Sequence, residues 1–203
     1  MKKYAVLHEP GDIVTLAGTR FVVLDVERRG SLPDSLFLLA LESVGASEFG
    51  SSNNYAESDL KKAVDKWLED MGKRGLDNAK LIPREIDLTT LDGSGCYGKL
   101  SVKAAPLTLD EAREYADIIP NAERWCWLAT GWSGPSKSDG DLALYVNSSG
   151  DWSDGSCSNS LGIRPALKIP SDLLLDSADK PDLSEVPTDT LLEEIRRRVV
   201  DKA

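Results

Sequence analysis

The chain has 203 residues, 41% of them hydrophobic, which is enough to bury the core of one ordinary domain and leave an appendage. Its 34 Asp and Glu outnumber 24 Lys and Arg, and the formal charge of −10 repels phosphate backbones and anionic lipid surfaces, so nucleic acid is not an expected partner. One histidine, His8, and three cysteines at 96, 126 and 157 that match no Cys-x-x-Cys pattern leave almost nothing for a His-based metal site or a His-activated nucleophile. No catalytic residue, metal or cofactor is therefore expected, and the cysteines read as reduced thiols.

The N-terminus offers two lysines but only a four-residue apolar stretch before His8, too short for a signal-peptide core, and no apolar run approaches the ~18 residues of a membrane span. The expectation is a soluble protein, cytoplasmic or virion-associated. From Asp12 to Glu27 two β-rich runs joined by Ala17-Gly18-Thr19 predict an antiparallel hairpin. Leu36 to Leu41 predicts a third strand, reached through a turn over Gly30 to Asp34.

The period then changes. Leu60, Val64, Trp67, Leu68 and Met71 recur at helical spacing behind Asn54 as N-cap and Glu57 as the third-following acid, with Trp67 on the buried face. Asp87 to Val102 is mixed and Gly-rich, a long loop. A shorter helix starts at Thr108, where Glu111 completes a capping box, and turns Leu109, Ala112, Tyr115 and Ala116 inward.

Residues 121 to 162 hold four of the five tryptophans in a background of Ser, Gly, Asp and Asn. Leu142 to Val146 predicts a short strand followed by a turn at Asn147 to Gly150, and Gly162 to Ile169 a returning strand interrupted by Pro165. Aromatic area interleaved with small polar groups suits a recognition surface, because rigid rings and adaptable hydrogen bonds cost little entropy together. Trp132, Tyr145, Asn147, Asp151 and Trp152 are accordingly expected to share one exposed ligand-binding face with Asp154, Ser156, Ser158 and Asn159. The bland alternative is ordinary loop composition. Trp125 and Trp127, at strand spacing, are assigned to the core. Arg164 is read as making an ion pair or bonding backbone carbonyls, with an anionic ligand as the alternative. Asp139, Asp141, Asp151 and Asp154 lack the ligand spacing of a calcium loop and read as solvated carboxylates.

The domain is expected over 1–170, followed over 171–203 by an acidic linker and a C-terminal helix with Leu191, Leu192, Ile195 and Val199 along one side. That helix could dock in cis, make a homo-oligomer or contact a partner.

Three blocks carry a resemblance. Gly11-Asp12-Ile13-Val14 leads through Gly18 to Phe21-Val22-Val23-Leu24-Asp25; Asn53-Asn54-Tyr55 precedes Ser58-Asp59-Leu60 and Trp67-Leu68; Cys126-Trp127-Leu128 is closed by Gly162-Ile163-Arg164-Pro165-Ala166-Leu167. In this order they resemble an uncharacterised family of bacterial and phage domains with Trp-Trp-Leu-Arg-Ser-Pro and Gly-Val-Arg-Pro-Ala-Leu signatures, over about residues 10 to 170. The family is similar to the formylglycine-generating-enzyme branch of the C-type lectin fold. The resemblance implies an α+β domain, a twisted antiparallel sheet with two helices and long irregular loops. It further implies a non-catalytic, receptor- or adhesin-like binder of protein or cell-surface ligands, possessing a variable face of the kind diversified by retroelements. Ala129-Thr130-Gly131 replaces the family's Arg-Ser-Pro, the cysteines do not align with the catalytic pair of the oxidase, and the Glu-Pro-Asn calcium motif of sugar-binding lectins is absent. A formylglycine-generating-type oxidase and a phage assembly protein are the alternatives.

Overall fold

The computed structural model describes residues 2–4, 8–29, 32–137, 139–170 and 173–177. The chain is α+β, with mostly antiparallel sheets and two α-helices among those residues. The predicted hairpin is β2 (Ile13–Leu16) and β3 (Thr19–Arg29), turning on Ala17 and Gly18 alone. Both turn residues have positive φ, 47° and 76°, the twist that matches right-handed strands in a two-residue turn. β4 (Leu32–Ala40) pairs antiparallel with β3, so Leu32, Pro33 and Asp34, expected in the turn, belong to the strand.

Beyond β4 the seven-stranded sheet is completed by β13 (Ala166–Pro170) and β8 (Ala104–Ala105). On the other side lie β14 (Leu174–Ser177) and β1 (Lys2–Tyr4), giving the order β1-β14-β2-β3-β4-β13-β8 with every pair antiparallel. The sheet thus continues past residue 170, where a linker was expected to begin. The predicted C-terminal helix lies outside the described residues.

Both faces of the central strands are buried. Phe21, Val23, Leu36 and Leu38 point into one core; Val22, Leu24, Phe37 and Leu39 point into the other. The first core is covered by α1 (Asp59–Lys73), which buries Leu60, Val64 and Met71. Trp67 is only partly buried and meets Phe21 at 6.4 Å between ring centroids. The N-cap of α1 is Ser58 rather than Asn54: its hydroxyl oxygen accepts from Lys61 N at 2.9 Å while its proton goes to Tyr55 O at 2.8 Å. Asn54 caps a separate 3-10 turn over Tyr55–Glu57.

The second core is covered by α2 (Leu109–Glu114), opened by the predicted Thr108–Glu111 capping box. Leu109 and Ala112 face inward, Tyr115 is half-buried against Phe37, and Ala116 is exposed, past the helix end. The expected long loop is instead a hairpin of β6 (Arg84–Asp87) and β7 (Lys99–Val102) with a loop between them.

A five-stranded sheet abuts both cores, with the order β11-β10-β9-β12-β5. Its members are β5 (Ala46–Ser47), β9 (Cys126–Gly131), β10 (Leu142–Val146), β11 (Trp152–Ser156) and β12 (Leu161–Gly162). The single strand expected over Gly162 to Ile169 is therefore two strands in two sheets. Pro165 stands at the crossing, where it has no N–H to give to either ladder, and its carbonyl accepts from Ala40 N at 2.9 Å. Glycine allows a close approach at 162, where a Cβ would lie 2.8 Å from Cys126 Sγ and 2.9 Å from Arg124 Cδ and would have to displace those side chains.

Replacing the α1 cap, Ser58→Ala, is expected to cost about 1–2 kcal/mol in urea denaturation, and Asn54→Ala distinctly less. Equal costs would return the cap to Asn54.

Candidate functional site

Strand periodicity decides where the nine expected site residues go. Within the five-stranded sheet Trp127, Ala129, Ala143 and Tyr145 face the first core, whereas Leu128, Leu144 and Val146 face the second. β11 pairs with β10 in the register Leu142↔Ser156, Leu144↔Asp154 and Val146↔Trp152. Directly paired residues share a face, so Trp152, Asp154 and Ser156 lie on the side of the second core and of α2. Tyr145 lies on the opposite side, paired with Ser153. The structure does not place all nine on one face.

Tyr145 is also buried, at 8% exposure, which corrects its expected position on the surface. Trp125 stacks on it with centroids 5.1 Å apart and planes 6° from parallel, and Trp127 meets it edge-on at 6.2 Å. The two tryptophans assigned together to the core are thus separated. Trp127 is 1% exposed, packs edge-on against Phe49 and donates its indole N–H to Ser47 O at 3.0 Å. Trp125 is 49% exposed and shields Tyr145 from solvent. It precedes the first residue of β9, where the sheet no longer covers it. Trp132, expected outside, is half-buried against the second core.

Asn147 and Asp151 are turn builders. Asn147 Oδ1 accepts from Ser149 N at 2.8 Å and Asp151 N at 3.0 Å, and Asn147 Nδ2 donates to Asp151 Oδ2 at 3.2 Å. Gly150, at φ 89°, completes the turn where a Cβ would fall 2.7 Å from Asn121 Oδ1, so the hairpin tip rests against the segment after α2. The Ser156 and Ser158 hydroxyls bond each other at 2.9 Å, and Asn159 is exposed in the next turn, beside Gly155 and the Tyr145 ring.

On the second-core side Trp152 is 43% exposed, with the Arg113 guanidinium 5.5 Å from its ring centroid. Trp152 forms one wall of a cleft of about 220 Å³ between the hairpin tip and the segment after α2, and is the only one of the nine residues to line it. Ala112, Ile119 and Val146 supply its apolar surface, Asn121 and Ser149 its polar rim, and Arg164 its charge. A recess of about 30 Å³ toward Leu107 and Leu128 shares Ala112, Ile119, Val146 and Arg164 with it.

Arg164 is 6% exposed. As expected it bonds backbone carbonyls, donating from Nε to Ala40 O at 2.9 Å and from Nη1 to Pro120 O at 3.1 Å. No carboxylate among the described residues pairs with it, and Nη2 is buried without a partner. Burial lowers its pKa from the usual arginine value. Its signal in the sequence was a charge inside the apolar block 162–167; Arg113, the neighbour of Trp152, carried none.

All three cysteines are free thiols. Burial raises the Cys126 thiol to about 11 and, with nearby Asp141, the Cys157 thiol to about 12; Cys96 is exposed. Among the described residues no group of three or more His, Cys, Asp or Glu is placed to hold a metal ion, and no helix is long and apolar enough to cross a membrane. Comparison with family models, with curated proteins and with solved structures gave no match.

The two raised thiols remain protonated at pH 8. Brief iodoacetamide treatment of the native chain at that pH is expected to modify Cys96 alone by mass spectrometry, and all three thiols after denaturation. Because both native pKa values lie above the ordinary value of 9.0, the stability they contribute is present below pH 9 and is lost as pH rises from there through 11 to 12. Native modification of Cys126 or Cys157 at the rate of Cys96 would contradict this.

Proposed function

We propose that the chain is a non-catalytic binding protein of C-type-lectin-like, formylglycine-generating-enzyme type fold, displaying the β10–β11 hairpin to a protein or cell-surface ligand. The observation that carries this reading is the contrast between neighbouring strands. β9 is buried throughout and β10 nearly so, whereas β11 is an edge strand of Trp, Ser, Asp and Gly in which every residue is at least partly exposed. A rigid strand pair presenting a variable edge separates what must stay fixed from what can change. Trp152 is the anchor, a large ring held by Arg113 above an open cleft.

The composition supports diversification by a retroelement that mutates adenines. Asn codons in such a template lead to Ser, Gly, Asp and Tyr, the residues that accompany Trp152. The oxidase alternative needs two thiols acting together as thiolates, and protonated, buried Cys126 and Cys157 favour the binding reading over it.

Sequencing of this gene across its natural population tests the proposal. Substitutions are expected to concentrate at exposed positions between Trp152 and Asn159 while Gly162 to Leu167 stay unchanged; an even spread along the chain would sink it. In parallel, Trp152→Ala is expected to change stability by less than about 1 kcal/mol in thermal denaturation, because the ring is exposed. A large fall in Tm would assign Trp152 to the core.

A further inference from the structure

Each of the two large sheets has two edges, and three of the four are blunted. β8 and β5 are two residues long, and β1 is three residues, two of them lysine. β11 differs: its five residues, Trp152–Ser156, pair with β10 without a bulge and include neither lysine nor proline. Natural sheets guard so regular an edge, because its outward N–H and C=O groups are a template for another strand. The phase of the ladder fixes which groups face out. Asn147 N donates to Asp151 O at 2.9 Å and Cys157 N to Asp141 O at 2.7 Å, so the bonded pairs of this antiparallel ladder fall on the odd-numbered residues. Trp152, Asp154 and Ser156 therefore turn their backbone groups away from β10. Asn159 N donates to the Ser156 carbonyl at 2.9 Å and closes that end, whereas no strand among the described residues takes the outward groups of Trp152 and Asp154. We infer that β11 takes up one further strand, an extended basic segment of a partner protein, its backbone bonded to Trp152 and Asp154 and a lysine or arginine set opposite the Asp154 carboxylate.

Charge selects this occupant. Asp154 is the one charged side chain of β11, it is partly exposed, and it has no hydrogen-bond or ion-pair partner among the described residues. A cation directly across an antiparallel pair meets it on the same face. The net charge of −10 draws basic segments toward the edge before contact. At the other end of the strand Arg113 lies over Trp152, with Asp110 3.4 Å from its guanidinium, so an apolar residue rather than a second cation belongs opposite the ring. A second copy of the chain fits the edge poorly: it brings together two charges of −10 and, in the register centred on β11, sets Asp154 against itself. In strand addition the main chain supplies affinity and alternate side chains supply specificity. Such an edge keeps its backbone bonds while its side chains change, as a varied surface requires.

The inference rests on the proposed display of the β10–β11 hairpin and names the partner for it. The probe is the peptide acetyl-Thr-Thr-Lys-Thr-Val-Thr-amide, which in antiparallel register sets its Lys opposite Asp154 and its Val opposite Trp152. Its controls carry Glu, or N-methyl-Lys, in place of Lys. Each is titrated into the full chain, and amide hydrogen exchange is followed residue by residue in ¹⁵N NMR spectra. The Lys peptide is expected to slow exchange at Trp152 and Asp154 while Ser153 and Gly155, already bonded within the ladder, stay unchanged. The Glu peptide is expected to bind about tenfold more weakly, as exchange of an opposite for a like cross-strand charge requires. N-methyl-Lys, which lacks the N–H for Asp154 O, is expected not to bind. Asp154→Lys is expected to reverse the preference between Lys and Glu peptides, with unchanged protection of Ser153 and Gly155 as the sign that the hairpin is intact. Equal binding of Lys and Glu peptides, undiminished binding of the N-methyl peptide, no binding up to about 5 mM, or self-association of the chain through β11 would each overturn the inference. The two readings fail separately. Failure of the peptide beside substitutions concentrated on β11 overturns strand addition alone, whereas peptide binding beside an even spread of substitutions keeps strand addition and overturns the diversified face.

Discussion

The irregular half of this protein depends on one buried amide. Asn53, 1% exposed, donates to Ser133 O at 2.9 Å and Leu142 O at 3.0 Å and accepts from the Tyr97 hydroxyl at 2.6 Å. Three segments distant in sequence, the β6–β7 loop, the stretch after β9 and the start of β10, are thereby tied to the entrance of α1. The contact is close enough to dictate a neighbour: a Cβ at Gly131 would lie 2.8 Å from Asn53 Cγ. A loop region rich in Ser and Gly cannot bury enough apolar surface to order itself, so fixed polar contacts of this kind take the place of a hydrophobic core. The hairpin that begins at Leu142 inherits its position from them.

The second constraint lies at the other end of the same sheet. Gly162, Ile163, Arg164 and Pro165 carry the chain from β12 to β13, and each contributes differently: a close approach to Cys126, an N–H shared between Ser43 Oγ and Gly45 O, the carbonyl contacts of the guanidinium, and the break in the ladder. The block joins the five-stranded and seven-stranded sheets directly. Its arginine belongs to both structure and cleft, so the element that fixes the architecture also sets the charge of the candidate site.

Much of the scaffold was legible because it obeys simple periods. The β2–β3 hairpin, the capping box of α2, the apolar stripe of α1 and the β10 strand with its Asn-Ser-Ser-Gly turn follow alternation, helical spacing or turn chemistry. The misplaced features obey rules that a single sequence does not display. Asn54 and Ser58 are both good caps, and only the intervening 3-10 turn gives the helix to Ser58. β11 looks like loop because an edge strand exposed to solvent needs no apolar alternation. Tyr145 and Trp152 appeared to belong together through composition, yet register sets them on opposite faces. Trp125 and Trp127 share strand spacing, and the start of the sheet between them separates an exposed ring from a buried one.

The pleat of β11 has a consequence for how such a surface can vary. Its odd and even positions look into different surroundings, the Tyr145 side and the cleft side, and the tight turn over residues 147–150 sets which is which. A codon change alters one of the two panels and leaves the other as it was. A one-residue insertion ahead of Trp152 would exchange the panels, swinging the tryptophan toward Tyr145 and emptying the wall of the cleft. Along this edge a change of length would disturb the surface more than a change of residue, because only the former moves side chains from one panel to the other.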